Sequence, residues 1–472
     1  MVVLLILVTV SFIGEKIPIN NEAGYDGIFY YNVAQNFSSD FWTTGYDPFR
    51  IFRIFPFFLI NLFFETFNIE PTHANLMHSI QVLHFFNLAI QLVFFFKLVR
   101  LNAWKQTTSA IIFGCYFFNY FVLKNCGYEN FLTDSFANTI FLVSYYYLLR
   151  EKFIRAISIS FLGILTWPTL TYTIWLLYFF KDPFAQNAPR IKLHTGKTLA
   201  IAFPLMSVGA VAMLYLMHKQ PLLESMLFTQ ASIPLLLASA VAWAVFLMAF
   251  FRHTDYKFYT PFTYIRNFFS RPSWKKIAIV FIPYAAITLF LRAHSNDEIY
   301  FDEIAFILQI ILRPLKYPLI TPIAHICYFG ILPLLVFFSF RNYSKEFFDR
   351  SAGYALAFLA FIFFATDSES RHIHPLLPMI LVPLGSVLDK MNLGAKAAAA
   401  LLALQLLLSH FYIRINIDGM AEAFANNEYH GFAQRYFMNY GPWMSIETYI
   451  AWGIISVIAA ILVYLIVRRR KI

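Results

Sequence analysis

Apolar stretches long enough to enter a lipid bilayer recur along the whole of this 472-residue chain. Hydrophobic residues make up 59% of the sequence and charged residues only 13%, whereas soluble domains carry roughly 25% charged residues. Inside a bilayer the backbone must satisfy its own hydrogen bonds, and an α-helix does so within one segment. The sequence therefore predicts an all-α polytopic membrane protein that forms a single domain over residues 1–472.

Fourteen apolar segments can be delimited, and we expect about 12–14 transmembrane helices. The segments cover about residues 1–14, 74–97, 107–123, 134–149, 154–166, 168–180, 198–217, 232–251, 277–291, 319–339, 351–365, 375–388, 397–411 and 448–467. Because only Trp167-Pro168 separates two of them, residues 154–180 form either one kinked helix or two half-helices. We interpret the first segment as a retained helix and not as a cleaved signal peptide, since no basic region precedes it.

The charged residues are divided unequally between the two sides of the predicted membrane. When the loops are assigned alternately, 25 of the 36 basic residues fall on one side, and 20 of the 26 acidic residues fall on the other. Loops rich in Lys and Arg stay in the cytoplasm. We therefore predict a multi-pass protein, in a bacterial inner membrane, with both termini cytoplasmic. The net charge of +10 then reflects topology, and no nucleic-acid partner is expected.

Three of the loops on the predicted extracytoplasmic side are substantial, namely residues 15–73, 292–318 and 412–447. In the first loop, two short segments at about 26–35 and 49–64 are predicted to be interfacial helices that lie along the membrane surface. In the second loop, a run at 304–312 is predicted to be a surface or re-entrant helix. The third loop is polar, and no residue spacing in it indicates a particular chemistry.

The first outer loop carries an acidic residue in an unusual setting. Asp26 lies between Gly24 and Gly27 and precedes an aromatic run, so a carboxylate stays just outside the hydrocarbon while the backbone can approach a ligand closely. Arg50 and Arg53 are three residues apart and can share one helical face. A base beside anion-binding groups suits transfer of a group from a lipid phosphate. The alternatives are a helix N-cap at Asp26 and a snorkelling side chain at Arg53.

A second group of charged residues lies at 367–374, between two apolar segments. It contains two acids, one arginine and two histidines, and charges so close to a bilayer are costly and often mark a site. Arg371 and His374 are three residues apart and are expected to face the same way, and an arginine can bind a phosphate with two parallel hydrogen bonds. The alternative is a short solvated hairpin whose charges cap two helices.

The histidines near the second apolar segment and the cysteines give weaker indications. We interpret the histidines as polar packing residues, with a metal site as the alternative: His73, His78 and His84. The cysteines have no metal-binding spacing and are expected to be buried apolar residues: Cys115, Cys126 and Cys327.

Together, these motifs resemble the multi-spanning GT-C glycosyltransferases, notably their mannosyltransferase-like branches. The resemblance is carried by Asp26-Gly27, by Arg50-x-x-Arg53-Ile-Phe-Pro56 and by Glu369-x-Arg371-x-x-His374-Pro375-Leu-Leu-Pro378. Thr133-Asp134 and Leu165-Thr166-Trp167-Pro168 lie where such chains carry short polar motifs. Many relatives have a second acid or a lysine where this chain has Trp167.

The resemblance implies a hexosyl- or pentosyltransferase that takes a sugar from a polyprenyl-phosphate donor on the extracytoplasmic face and inverts the anomeric centre. The acceptor is a glycan, lipid or protein of the cell envelope; no cofactor is required with certainty, and a divalent metal stays open. Asp26 is expected to be the general base, with Asp47 as the alternative. The expected substrate-binding residues are Arg50, Arg53, Glu369, Arg371 and His374, with arginines stabilising the leaving phosphate.

Two other classes of function remain compatible with the sequence. A transporter or flippase of a lipid-linked or amphipathic substrate places ionisable residues in the middle of the membrane, along a pathway. Here the charges are scarce within the spans and concentrate at one face, which favours an enzyme. A non-enzymatic membrane assembly protein explains the topology but not the clustering of acids and arginines.

Overall fold

The computed structural model describes residues 13–181, 190–191, 195–216, 233–251, 258–260, 274–296, 303–348, 350–426 and 441–468, together with Thr9, Thr263 and Arg266. Almost all of the predicted helix at 1–14 lies outside these residues. Over the described part the fold is helical, apart from two strands of two residues each, β1 (Arg190–Ile191) and β2 (Phe258–Tyr259), which pair antiparallel.

The helices of the first half are α1 (Gly27–Thr43), α2 (Phe55–Phe67), α3 (His73–Asn102), α4 (Gln106–Phe117), α5 (Cys126–Tyr128), α6 (Asp134–Leu149), α7 (Phe153–Ile164), α8 (Pro168–Phe179), α9 (Thr195–Leu216) and α10 (Ile233–Phe251). Those of the second half are α11 (Trp274–Arg292), α12 (Glu303–Leu312), α13 (Ile320–Phe329), α14 (Leu332–Phe348), α15 (Ala352–Thr366), α16 (Leu377–Met391), α17 (Ala395–Leu408), α18 (Met420–Ala425) and α19 (Ile446–Arg468). A π-helical turn (Phe121–Asn125) and 3₁₀ turns at Arg50–Arg53, Arg313–Leu315, Ser370–Leu376 and Gly441–Trp443 complete the described elements.

Within the part of the chain that the structure describes, three helical segments are long and apolar enough to cross a membrane: α3, Ser370–Met391 and α19. The pair α13 and α14 adds a fourth if the two are counted as one broken span. Large apolar side chains are exposed along α3 and α19, among them Val93, Phe96, Val457 and Ile461. This pattern suits contact with lipid, so the chain has the features of an α-helical membrane protein. Several shorter apolar helices accompany these segments.

Residues 154–180 form two helices folded against each other and not one kinked helix. Trp167 is extended, with φ −162° and ψ 90°, and Pro168 begins α8, where its missing N–H is not needed. The hydroxyl of Thr171 donates to the carbonyl of Ser160 at 2.9 Å, and the indole of Trp175 donates to the Ser160 hydroxyl at 3.1 Å. These bonds join α7 to α8 and place Trp167 at the connection.

The break between α13 and α14 is held by one glutamine side chain. The two helices are bent by 113°, and Gly330 at the break has φ +66°, with Gln405 so close that a Cβ would lie 2.5 Å from its Oε1. Gln405 Oε1 accepts the N–H of Ile331 at 2.9 Å, and its Nε2 donates to the carbonyls of Phe118 and Phe329 at 2.8 and 3.2 Å. A buried side chain therefore satisfies the backbone that the bend exposes.

We expect Gln405→Leu to lower the free energy of unfolding by about 1–3 kcal/mol, because it leaves a buried N–H without an acceptor. Thermal melting of the purified protein in detergent measures this loss. Gln106→Leu, at an exposed position, is the matched control and is expected to stay within about 0.5 kcal/mol of the wild type. Equal melting temperatures for Gln405→Leu and the wild type would contradict this role.

Candidate functional site

Charged side chains from distant parts of the chain meet at one end of the helix bundle. Asp26 Oδ1 accepts from Arg50 Nη2 at 3.0 Å, and its Oδ2 accepts from Arg371 Nη2 at 3.2 Å. The Nε of Arg371 also donates to Glu369. We call the group the acid–arginine cluster; its members are Asp26, Arg50, Arg313, Asp367, Glu369, Arg371 and His372. The sequence motifs at 24–56 and 366–378 thus form one site.

Asp26 precedes α1 but does not cap it. The residue is in the N-cap position, yet its side chain makes no hydrogen bond to the first turn of the helix. Two glycines set the path of the backbone around Asp26: Gly24 has φ +87°, which only glycine adopts readily, and a Cβ on Gly27 would lie 3.1 Å from the Cβ of Phe131. The carboxylate is therefore available to the arginines, and the N-cap alternative is not what the structure shows.

The pKa of Asp26 results from two opposing effects. Desolvation by surrounding atoms raises the pKa, but the charges of Arg371 and Arg50 outweigh it, and the net shift is downward. Asp26 is therefore ionised at neutral pH. Its side chain is 39% exposed and that of Arg50 38%, so this part of the cluster is open to a ligand.

Asp47 organises the turn that carries Arg50. Its Oδ1 accepts the N–H groups of Phe49 at 2.7 Å and of Arg50 at 3.2 Å, and its Oδ2 lies 3.6 Å from Arg50 Nη1. One carboxylate oxygen thus has two backbone donors. The alternative that Asp47 is the base stays a prediction, but its contacts are those of a residue that positions Arg50.

Arg53 lies between two aromatic rings. Its guanidinium carbon is 4.3 Å from the ring centroid of Phe49 and 4.3 Å from that of Trp167. Trp167 in turn lies against His372, with ring centroids 5.9 Å apart. Arg53 is therefore fixed beside the cluster by cation–π contacts, a more ordered position than that of a snorkelling side chain.

Arg313 completes the buried side of the cluster, a role that the sequence did not reveal. Its Nη1 donates to Glu369 Oε2 at 2.7 Å and to Asp367 Oδ2 at 3.3 Å, and His372 Nδ1 lies 2.8 Å from Asp367 Oδ2. Burial raises the pKa of Glu369, but the charges of Arg371, His372 and Arg313 lower it by a larger amount, so the net shift is downward. The only sequence signal was a basic residue directly after the apolar run 304–312.

His374 does not join Arg371, contrary to the expectation that the two face the same way. Its ring is fully buried against Phe121, with centroids 3.9 Å apart, and neither ring nitrogen has a hydrogen-bond partner among the described residues. Its carbonyl accepts from Asn138 at 2.7 Å. Packing against the π-helical turn, and not the spacing along the sequence, determines where this side chain lies. Its predicted contact with substrate has no support in this geometry.

Two further acids lie buried behind Arg371. Glu129 is 6% exposed and Asp134 is 1% exposed, and the charge of Arg371 acts on both. Asp134 belongs to the short polar motif Thr133-Asp134, whereas no motif in the sequence singles out Glu129. An acid in a ten-residue loop between two apolar segments was the available signal.

The sequence does not decide whether the protein binds a metal ion, and the cluster contains one group of residues that could be metal ligands. Ligand atoms of Asp367, Glu369 and His372 all lie within 4.8 Å of one another. However, the Arg313 guanidinium already donates to both carboxylates, so a cation there must displace it. The histidines of α3 do not form such a group in the described part of the chain: His84 Nε2 is bonded to the Asn130 carbonyl at 2.8 Å, and His78 is exposed. The three cysteines are buried, as expected.

An apolar cavity of about 590 Å³ lies next to the arginine turn. Ile54, which follows Arg53 directly, is one of its lining residues. The rest of the lining comes from α1, α2, α11 and the end of α7, and includes Phe37, Phe41, Phe58, Leu165 and Phe290. The Arg50–Arg53 turn therefore connects the acid–arginine cluster and the cavity, since Arg50 bonds to Asp26 and Ile54, the residue after the turn, lines the cavity.

In comparisons with known proteins, no family model, no curated protein and no solved structure matches this chain. The resemblance to GT-C glycosyltransferases therefore stays a prediction, and the functional argument depends on the geometry of the cluster and the adjoining cavity.

Proposed function

We propose that this protein is an integral-membrane glycosyltransferase of the GT-C type. It transfers a sugar from a polyprenyl-phosphate donor to an acceptor hydroxyl on the extracytoplasmic face, with inversion. The observation that carries the proposal is the arrangement of Asp26 between Arg50 and Arg371, at 3.0 and 3.2 Å, beside an apolar cavity. The carboxylate can accept the acceptor proton, the two guanidinium groups can bind the phosphate, and the apolar cavity can hold the lipid chain.

The ion pairs of Asp26 explain how donor binding and proton transfer can be coupled. In the free protein the arginines hold Asp26 ionised and make it a weak base. A donor phosphate competes for the same guanidinium groups, because arginine binds phosphate and carboxylate with the same fork of N–H donors. As the phosphate draws Arg50 and Arg371 away, the basicity of Asp26 rises beside the acceptor hydroxyl.

The arginines then stabilise the reaction's other product. When the acceptor oxygen attacks the anomeric carbon, the bond to the phosphate oxygen breaks and negative charge develops on the leaving lipid phosphate. Arg371 is 20% exposed and is held by Glu369, so it is oriented before the donor arrives. The adjoining cavity suits an isoprenyl chain because its lining is almost wholly apolar.

The contacts between loops support the proposed topology. The cluster joins residues from 15–73, 292–318 and the 366–374 segment, all of which the charge distribution assigns to the outer side. At the other side, Asp389 accepts the N–H of Lys105 at 2.7 Å, joining two loops assigned to the cytoplasm. We propose that about 12–14 spans separate these two sets of loops, with both termini cytoplasmic.

The test is release of polyprenyl phosphate from polyprenyl-phosphate mannose by the purified protein in nanodiscs, with water as the acceptor of the mannosyl group. Arg50→Ala is expected to lower turnover about ten- to a hundredfold, since hydrogen bonds to charged groups contribute about 1.5–3 kcal/mol. Arg50→Lys is expected to restore only part of it. Arg414→Ala is the control, because Arg414 is an outer-loop arginine that is 81% exposed. No release by the wild type, with any of several sugars, would contradict the proposal.

A further inference from the structure

Arg371 forms ion pairs with Asp26 and Glu369, and further carboxyl groups lie close to it. Among the described residues, the site contains six carboxyl groups, four guanidinium groups and one imidazole. The acids are Asp26, Asp47, Glu129, Asp134, Asp367 and Glu369, and the basic residues are Arg50, Arg53, Arg313, Arg371 and His372. If all six acids were ionised, the site would carry an excess of negative charge. An anionic phosphate would then be repelled, so a site for phosphate requires that some of these acids are neutral.

Glu129 has the surroundings of a neutral acid. Its Oε2 is buried and has no hydrogen-bond partner among the described residues, and negative charge on a buried oxygen that lacks a donor is strongly disfavoured. The chain turns directly over its other oxygen: a Cβ at Gly24 would lie 3.5 Å from Glu129 Oε1. The Asp26 end of the first loop is thus packed on the Glu129 carboxyl group, with Arg371 close to both.

We propose that Glu129 is a positioning residue that must be protonated for the donor to bind, and whose ionisation draws Arg371 away from the donor phosphate. The inference rests on the proposed function, because it concerns how the same site binds a phosphodiester. Ionised Glu129 would offer Arg371 a competing carboxylate in a buried position, where opposite charges attract more strongly than in water.

The groups that face Glu129 place this ionisation near neutral pH. Burial raises the pKa of Glu129 to about 7; Arg371 opposes this shift, and the negative charges of Asp26 and Asp134 add to it. Among the described residues, the titratable and charged groups that face Glu129 are Asp26 from the segment before α1, Tyr128 at the end of α5, Asp134 from α6 and Arg371 from the 3₁₀ turn. Glu129 is therefore neutral below about pH 7 and charged above it.

The protonation of Glu129 is expected to make donor affinity depend on pH. If only the neutral form permits binding, the dissociation constant of the donor rises about tenfold between pH 6 and pH 8. A phosphodiester does not titrate in this range, so the change belongs to the protein. Glu129→Gln is neutral at every pH and is expected to bind with no pH dependence between these values, whereas Glu129→Asp is expected to keep a pH dependence.

The experiment is a binding titration of polyprenyl-phosphate mannose to the full-length protein in nanodiscs at pH 6, 7 and 8. The variants are Glu129→Gln, Glu129→Asp and, as a control, Glu22→Gln, whose side chain is 46% exposed on the first outer loop, 15–73. An unchanged pH dependence in Glu129→Gln would overturn the inference. Absence of binding by the wild type at every pH would instead overturn the proposed function, and this inference with it.

A second measurement covers the case in which Glu129→Gln does not fold. Infrared difference spectra of the wild type and Glu129→Asp, between pH 6 and pH 8, report protonated carboxyl groups directly. We expect the wild type to lose one buried protonated-carboxyl band over this range and Glu129→Asp to lose it at a shifted pH. The same band at the same pH in both proteins, or no such band at pH 6, would overturn the inference.

Discussion

Asp26→Asn is expected to lower sugar transfer about a hundredfold or more while the protein remains folded and binds the donor. Asparagine has nearly the same shape, and its one carbonyl oxygen can accept from only one of the two arginines, which bond to different oxygens of Asp26. It cannot take the acceptor proton. Loss of the carboxylate charge also frees both arginines, so donor affinity is expected to be equal to or higher than that of the wild type. Release of polyprenyl phosphate and donor binding, measured on the same preparation, separate the two effects.

Two neighbouring acids serve as controls for this experiment. Asp40→Asn changes an acid of the same loop that lies outside the cluster, and we expect wild-type transfer. Asp47→Asn weakens the turn that holds Arg50, and we expect a smaller loss, because the backbone donors of Phe49 and Arg50 keep an oxygen acceptor. Wild-type transfer by Asp26→Asn would remove Asp26 from the chemistry, and abolished transfer in Asp47→Asn alone would exchange the two roles.

Arg313→Met is expected to have the largest effect on stability, lowering the free energy of unfolding by about 3–5 kcal/mol. The substitution keeps an apolar stem of similar length but leaves Asp367 and Glu369 without a shared cation, and both carboxyl groups are almost fully buried. Thermal melting in detergent measures the loss. Arg292→Met, at an exposed arginine in the same region, is the matched control.

The stability lost in Arg313→Met is expected to decrease as the pH falls. Because the folded state lowers the pKa of Glu369, its stabilising contribution is present at neutral pH and is lost as the pH falls below the ordinary value of 4.5. The difference in melting temperature between the wild type and Arg313→Met is therefore expected to shrink in acid. A difference of the same size at pH 7 and at acid pH would contradict the ion-pair explanation.

The residues that the sequence identified most clearly are those whose charge is conspicuous in an apolar chain. Asp26, Arg50 and Arg371 each lie next to a long hydrophobic segment, and the charge distribution assigned them to one side of the membrane. The structure places both arginines within hydrogen-bond distance of Asp26. The predicted topology therefore contained much of the information about proximity, because it assigned all three residues to the same side.

The remaining features of the site depend on contacts that local pattern does not contain. Arg313 and Glu369 are 56 residues apart, and nothing in either segment indicates that they pair. Glu129 is identified only by its burial beneath Gly24, and His374 by its packing on Phe121. The sequence likewise does not decide the fold of residues 154–180, because Trp167-Pro168 is compatible with one kinked helix and with two helices. The hydrogen bonds to Ser160, which join α7 to α8, depend on tertiary contacts.

The most direct measurement of the central proposal is an experimental structure of the protein in nanodiscs with polyprenyl-phosphate mannose bound. We predict that the phosphate lies within hydrogen-bond distance of Arg50 and Arg371, that the Asp26 carboxylate faces the anomeric carbon, and that the isoprenyl chain occupies the cavity lined by Phe41, Phe58 and Phe290. A lipid phosphate bound elsewhere, with both ion pairs of Asp26 unchanged, would contradict the account.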